Sequence, residues 1–264
     1  MLFKKQKVHD SKAVDSLRII NEQTPFAIKE AFSSLSTNVI YLPIVDKCKK
    51  IAITSGVPGE GKSYISTNLA ITLAQNFDNK KILLIDMDMR SPSIAKLFKN
   101  FPESYDSKIG LSEYLIGLSE EPNIVETNIR GLSVLFAGGE SSNPAGLINS
   151  DKMTDLLKSC EAKFDYIIID TPPINIVSDA TLLVGRINGY ILSTRADYSN
   201  VNALSTAEKT LNSVGAQLFG VVLMGVNPKG GMGYGRYGKY GKYGKYGSYG
   251  QYGYGQCGDG KDEQ

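Results

Sequence analysis

The chain has 264 residues, 42% hydrophobic and 21% charged, and its 29 Lys and Arg against 27 Asp and Glu leave a formal net charge of +2. That composition suits a globular α/β domain with appendages, and a near-neutral chain has no global electrostatic pull on nucleic acid, so no nucleic-acid partner is expected. One histidine, His9, and three scattered cysteines, Cys48, Cys160 and Cys257, exclude histidine triads, His-rich metal centres and a disulfide framework, and they fit a reducing cytoplasm.

Residues 1–24 form a polar arm. Their opening, MLFKKQKVHDSK, has no apolar core behind its lysines, so no secretory signal is expected. No apolar run in the chain approaches the roughly 18 residues that span a bilayer. A helix is expected over 25–40: Pro25 suits its first turn, and Ile28, Phe32, Leu35 and Val39 recur at three- and four-residue steps. Strands are expected at 51–54, 81–86, 132–136, 166–170, 189–194 and 219–224. Most are nearly continuous apolar runs, as in strands covered on both faces of a parallel sheet. Between them, 62–76, 150–160 and 200–214 read as amphipathic helices. The alternation predicts a doubly wound, mostly parallel sheet with helices on both faces, over a domain of residues 25–228.

Between the first strand and its helix lies Gly56-Val57-Pro58-Gly59-Glu60-Gly61-Lys62-Ser63, the GxxxxGK[ST] pattern of a phosphate-binding loop. The context is right: a β-branched strand leads in and a helix starts at Lys-Ser. Glycines let backbone N–H groups turn inward around phosphates at the positive end of the helix dipole. Lys62 is expected at the β- and γ-phosphates, and the Ser63 hydroxyl on Mg²⁺. Gly56, Gly59, Glu60, Gly61 and Tyr64 complete the expected nucleotide contacts. Three acids stand at strand ends: Asp86 closes KILLID, Asp88 follows two residues later, and Asp170 closes YIIID. Ligands of an open α/β sheet sit beyond the carboxyl ends of its strands, so all three can converge on the γ-phosphate, with Asp170 in the Walker B place of an acid that holds or orients Mg²⁺. Transfer of a γ-phosphoryl group to a hydroxyl acceptor calls for charge neutralisation and a carboxylate to take the proton. Asp86 and Asp88 are both candidates for that base. Arg90 can neutralise phosphate charge or form a salt bridge.

SGVPGEGKS (55–63), ILLIDMDMRSP (82–92), DYIIIDTPP (165–173) and a tyrosine-rich C-terminus together resemble the bacterial tyrosine kinases, specifically the cytoplasmic kinases of Gram-positive capsule and exopolysaccharide systems. The resemblance covers roughly 25–254. It implies a protein-tyrosine autokinase using ATP and Mg²⁺, with Lys62, Asp86, Asp88 and Asp170 as catalytic residues, Asp86 and Asp170 beside Ser63 as metal ligands, and the second segment as the Walker A′ motif. It also implies a membrane adaptor that recruits and activates the kinase, an opposing tyrosine phosphatase, and a role in polysaccharide chain length or export. Partitioning and cell-division-site ATPases share the fold, but they carry a lysine directly after the first loop glycine, where this chain has Val57. A eukaryotic-type kinase is disfavoured by the lack of HRD and DFG sequences.

From 229 onward the sequence is low-complexity, GGMGYGRYGKYGKYGKYGSYGQYGYGQ, then DGKDEQ. Tyr234, Tyr237, Tyr240, Tyr243, Tyr246, Tyr249, Tyr252 and Tyr254 recur at steps of three and a final two. So much glycine prevents a packed core, so an extended, disordered segment is expected. Beside the kinase-like motifs these tyrosines are the expected phosphoacceptors, labelled in trans as the resemblance implies. An adhesive segment or a strip stacking on nucleic acid is the alternative. Two positions depart from the family. Where its first helix carries arginines three and six residues after a glutamate (here Glu30), this chain has Ser33 and Ser36. Serine cannot make a bidentate contact with a carboxylate, which puts the family's ring of subunits in doubt and favours a nucleotide-switched scaffold as the rival reading. Met224 replaces an asparagine after the last strand, leaving any adenine contact there to Asn227.

Overall fold

The structure is a computed structural model that describes residues 19–98 and 109–226. The arm up to residue 18, residues 99–108 and the whole tyrosine-rich segment lie outside the described residues. The order is α1 (Phe26–Ile40), β1 (Lys49–Ser55), α2 (Lys62–Asn76), β2 (Ile82–Asp86), α3 (Ile94–Leu97), α4 (Leu111–Ile116), β3 (Ile124–Glu126), β4 (Leu132–Leu135), α5 (Pro144–Ile148), α6 (Asp151–Glu161), β5 (Tyr166–Asp170), a 3₁₀ turn (Asp179–Leu183), β6 (Gly189–Arg195), α7 (Val201–Ser213) and β7 (Leu218–Met224). The sheet runs β3-β4-β2-β5-β1-β6-β7. Every pairing is parallel except that of β3 with β4.

The six expected strands are all present, shifted by a residue or two at their ends. Their alternate residues feed two cores. Ala52, Leu83, Ile85, Ile167, Ile169 and Leu192 face α4, α5, α6 and α7. Ile51, Ile53, Ile82, Leu84, Ile168 and Ile191 face α1, α2 and α3. Burying each such side chain contributes roughly 1.5–3 kcal/mol, which explains why β2 and β5 are apolar at every position before their terminal aspartates.

The helices show how the ends are set. Ser150 caps α6 by accepting from the Met153 N–H at 3.2 Å, and Asn200 caps α7 through the Asn202 N–H at 2.8 Å, so each helix starts one residue after its cap. Pro25 stands just before α1 rather than inside its first turn. On α1, Phe32 and Val39 are buried while Ile28 is exposed.

One expectation needs correcting: α2 is not amphipathic. Every residue from Ile65 to Ala74 is buried, including Ser66, Thr67, Asn68 and Thr72. The sheet covers one side, α1 covers another, and the Ile20 N–H reaches the Asn68 side-chain oxygen at 2.7 Å. Three of the buried polar side chains bond within the helix: Ser66 Oγ to the Ser63 carbonyl at 3.2 Å, Asn68 Nδ2 to the Tyr64 carbonyl at 2.9 Å and Thr72 Oγ1 to the Asn68 carbonyl at 2.7 Å. The strand β3 was not expected at all. Its three residues form an antiparallel edge paired through Ile124 with Leu135.

Candidate active site

The candidate nucleotide, metal and catalytic residues collect at the carboxyl ends of β1, β2 and β5, neighbours at the centre of the sheet, while the candidate phosphoacceptors Tyr234–Tyr254 lie outside the described residues. Walking up from β1, the loop from Gly56 to Gly61 leads into α2, with Gly59 at φ +81° and Gly61 at φ +84°. Both are in the left-handed region, where a side chain is strained. The Gly59 Cβ position is 2.9 Å from the Tyr198 hydroxyl, and that of Gly61 is 3.4 Å from Met224 Cγ. The loop's N–H groups therefore open at the N-terminus of a buried fifteen-residue helix, where the dipole favours an anion.

Lys62, the first residue of α2, lays its Nζ 2.7 Å from Asp88 Oδ2. Burial alone would lower its pKa, but the nearby charges of Asp170, Asp88 and Asp86 outweigh burial and raise it, so the lysine is a firmly held cation. Asp88 reaches this place because the chain turns directly after β2. Its own N–H bonds Asp86 Oδ1 at 3.2 Å, and its Oδ1 accepts the Ser91 N–H at 3.0 Å. The i,i+2 acids thus share one side, as the bend after the strand requires.

Asp86 and Asp170 are opposite partners in the β2–β5 register, and both are fully buried. Burial first, and for Asp86 the neighbouring Asp170 charge next, push its carboxyl well above the usual range. Burial also raises Asp170, tempered by Lys62 and the nearby Ser63 hydroxyl. Neither buried Asp170 oxygen has a hydrogen-bond partner of normal geometry. Two adjacent carboxylates short of positive charge, one with orphaned oxygens beside the Ser63 hydroxyl, form a donor set that fits Mg²⁺, which takes one or two carboxylates, phosphate oxygens and water. Among the described residues, no cluster of three or more His, Cys, Asp or Glu forms a cage without phosphate.

Three expected nucleotide contacts are otherwise engaged. Glu60 turns its carboxylate into the loop, where Oε2 accepts the Val57 N–H at 2.9 Å and Oε1 accepts from the Ser199 hydroxyl. It is held there by protein and has only its backbone to offer a phosphate. The Tyr64 ring packs edge-on against Phe32 at 5.6 Å between centroids, so its side chain joins α1 to α2. Arg90 forms the salt bridge: Nε and Nη2 donate to the two oxygens of buried Asp179 at 2.8 and 3.0 Å.

Asp179 was missed by sequence reasoning, as were Tyr198, Ser199, Ser193 and Asn175. Only Arg90, read as either a phosphate contact or an ion pair, gave any signal that a buried acid waits nearby. Ser33 and Ser36 carry no charge into the α1 surface. The buried Ser36 hydroxyl donates to the Ser33 carbonyl at 2.8 Å.

Residues 47–224 match the family model described as ParA, NUBPL iron-transfer P-loop NTPase. Three widely separated cysteines make no paired-cysteine motif, so the match supports the P-loop fold and not the iron in that description. The chain is 36% identical over 211 residues to the tyrosine-protein kinase CpsD of Streptococcus pneumoniae serotype 4, covering 79% of this chain and 89% of the kinase. Among solved structures it is similar to the chimerical protein CapA2B2, with TM-score 0.69, 31% identity, and 81% and 98% coverage. It is also similar to the kinase domain of the Escherichia coli tyrosine kinase ETK, with TM-score 0.70, 28% identity, and 81% and 85% coverage. With the loop, the A′ turn and the strand-end aspartates where those motifs require them, this chain belongs to the ParA-type P-loop proteins and, among them, to the bacterial tyrosine kinases of the Gram-positive capsule type.

Proposed function

We propose that the chain is an ATP- and Mg²⁺-dependent autokinase that phosphorylates the tyrosine cluster Tyr234–Tyr254 of a second copy. One observation carries this reading: Lys62, Asp86, Asp88 and Asp170 meet beside a preformed anion-binding loop. The loop amides and Lys62 bind the β- and γ-phosphates and neutralise the charge that spreads over the transferring group. Ser63, Asp170 and Asp86 would hold Mg²⁺, which supplies further neutralisation of phosphate charge.

Asp88 is the proposed base. Both Asp86 oxygens already accept backbone N–H groups, from Asp88 and from Ile94 at 3.2 Å. Asp88 Oδ1 likewise accepts the Ser91 N–H, but its Oδ2 is held by Lys62, and that oxygen is freed when Lys62 turns to the phosphates. The phenol proton then passes to the Asp88 carboxylate as the phenolic oxygen bonds the γ-phosphorus. The bond from that phosphorus to the β–γ bridging oxygen breaks, and ADP leaves.

Several phosphates at about −1.5 to −2 charge each turn a cationic tail anionic. Phosphorylation is therefore expected to loosen the oligomer, and equal sedimentation of labelled and unlabelled protein would overturn that. A membrane adaptor at the inner face of the cell membrane, an opposing tyrosine phosphatase and control of polysaccharide export complete the proposal. They rest on kinship, and among the described residues no helix is long and apolar enough to cross a membrane.

The test is phosphotyrosine mapping after Mg-ATP incubation, with and without an adaptor's cytoplasmic peptide, beside Lys62→Met. Tail phosphates that vanish in Lys62→Met support the autokinase. The uncharged Ser33 and Ser36 favour a second reading, a nucleotide-switched scaffold. Bound ATP with no label under any condition would select it.

A further inference from the structure

The phosphate loop is held from outside by a single stretch of chain, the end of β6 and the turn into α7. Ser193 Oγ donates to the Glu60 carbonyl. Ser199 Oγ donates to Glu60 Oε1 and itself accepts the Arg195 N–H at 2.7 Å. The Tyr198 hydroxyl donates to the Pro58 carbonyl at 3.0 Å, and its ring lies over Gly59 with the Arg195 guanidinium 5.5 Å from its centroid. At the far end of the turn, the Ala203 carbonyl sits 3.0 Å from the Gly56 Cβ position and accepts from the Asn175 side chain at 2.8 Å. Asp197 adopts φ +58° to make the turn this tight.

A loop that offers its N–H groups to an anion keeps that shape better when its carbonyls and outer surface are tied to the rest of the fold. Glu60 does this from within by taking the Val57 N–H, and a carboxylate with 1% exposure needs partners of its own. Ser199 supplies one.

We infer that the β6–α7 turn is a latch on the phosphate loop, in which Ser199 and Tyr198, acting on Glu60 and Pro58, are positioning residues that set nucleotide affinity without touching nucleotide. The inference rests on reading 56–63 as the phosphate site. Direct binding of nucleotide tests the latch separately from phosphoryl transfer.

The experiment uses the full chain and measures the Kd for Mg-ADP by calorimetry, with kcat and KM for ATP alongside. Ser199→Ala and Glu60→Gln are each expected to weaken Mg-ADP binding about tenfold and to raise KM more than they lower kcat. The double variant should lose less than the two single losses combined, because the Ser199–Glu60 contact is common to both changes. Ser199→Thr keeps the hydroxyl and should stay within twofold of wild type. Tyr198→Phe loses one exposed hydrogen bond and should cost about threefold.

Wild-type affinity in Ser199→Ala overturns the latch, and so does strict additivity of the two losses. A loss in Glu60→Gln with none in Ser199→Ala also overturns it, since Glu60 would then act on nucleotide directly. A wild-type chain that binds no nucleotide removes the phosphate site and the latch together. Should Glu60→Gln fail to fold, Ser199→Ala against Ser199→Thr decides alone.

Discussion

The two halves of the site are built on opposite principles. On the β1 side the phosphate loop is satisfied before any ligand arrives: its carbonyls at Pro58 and Glu60 and its buried carboxylate all have partners in the β6–α7 turn. On the β2–β5 side the protein packs two carboxylates in register in a fully buried place and leaves the oxygens of Asp170 without bonds. The first half costs little to keep ready and gains shape. The second is a deficit of positive charge that the fold tolerates because strands on either side are held by apolar packing. Marginal stability is spent at the acids and recovered in the sheet.

The largest effect should come from Lys62, which belongs to both halves. Lys62→Met removes the phosphate-facing cation and leaves Asp88 with no charge partner. Tail phosphotyrosine, quantified by mass spectrometry, should fall by about 100-fold or more.

Next are the acids, where activity and stability should move in opposite directions. Asp86→Asn or Asp170→Asn should lower transfer by roughly 100-fold and raise the melting temperature of the nucleotide-free chain. Replacing one of two adjacent buried carboxylates by a neutral amide relieves desolvation and like-charge repulsion worth about 1–3 kcal/mol, or several degrees for a domain of this size. The same contrast predicts a pH dependence. Native Asp86 is pushed up to about 8 and Asp170 to about 6, above the roughly 4 of an unfolded aspartate. The folded state therefore binds more protons through this window, and its stability falls as pH rises from about 4 to 8. Scanning calorimetry at pH 6 and 8 should show the lower melting temperature at pH 8 in wild type. Asp86→Asn should narrow that gap, and an unchanged gap would mean that the acids are not strained.

A smaller effect is expected between the halves. Asp179→Asn weakens the fork that ties the A′ turn to the segment after β5, so kcat should drop about tenfold with KM for ATP within threefold. Steady-state kinetics would read it, and a KM effect larger than the kcat effect would place Arg90 on nucleotide instead. Smallest of all is Tyr64→Phe, expected within twofold in Kd and kcat because the ring serves Phe32 and the hydroxyl serves nothing catalytic.

What could be read in advance follows the same division. Continuous β-branched runs fixed β1, β2, β5 and β6 and, with the helical intervals, the doubly wound fold. The half-exposed triplet Ile124-Val125-Glu126 carries no such signal, and its pairing with β4 came only from tertiary contact. The acidic residues were legible because each ends an apolar run, and the loop because its chemistry is contiguous. Asp179, Tyr198 and Ser199 were not legible. Each is a single polar residue in a polar stretch, and its partner lies from 89 to 140 residues away in sequence. The helix α2 misled in the opposite way. Its serines and threonines looked like a solvent face, yet Ser66 and Thr72 are buried beneath α1 and the sheet with their hydroxyls bonded back to their own helix.

Met224 ends β7 with its side chain against Gly61, and β7 runs parallel to β1 through β6. The domain therefore hands its chain onward at the catalytic rim rather than at the far pole of the sheet. Sequences grafted after Val226 would begin their search for the active site already at its edge.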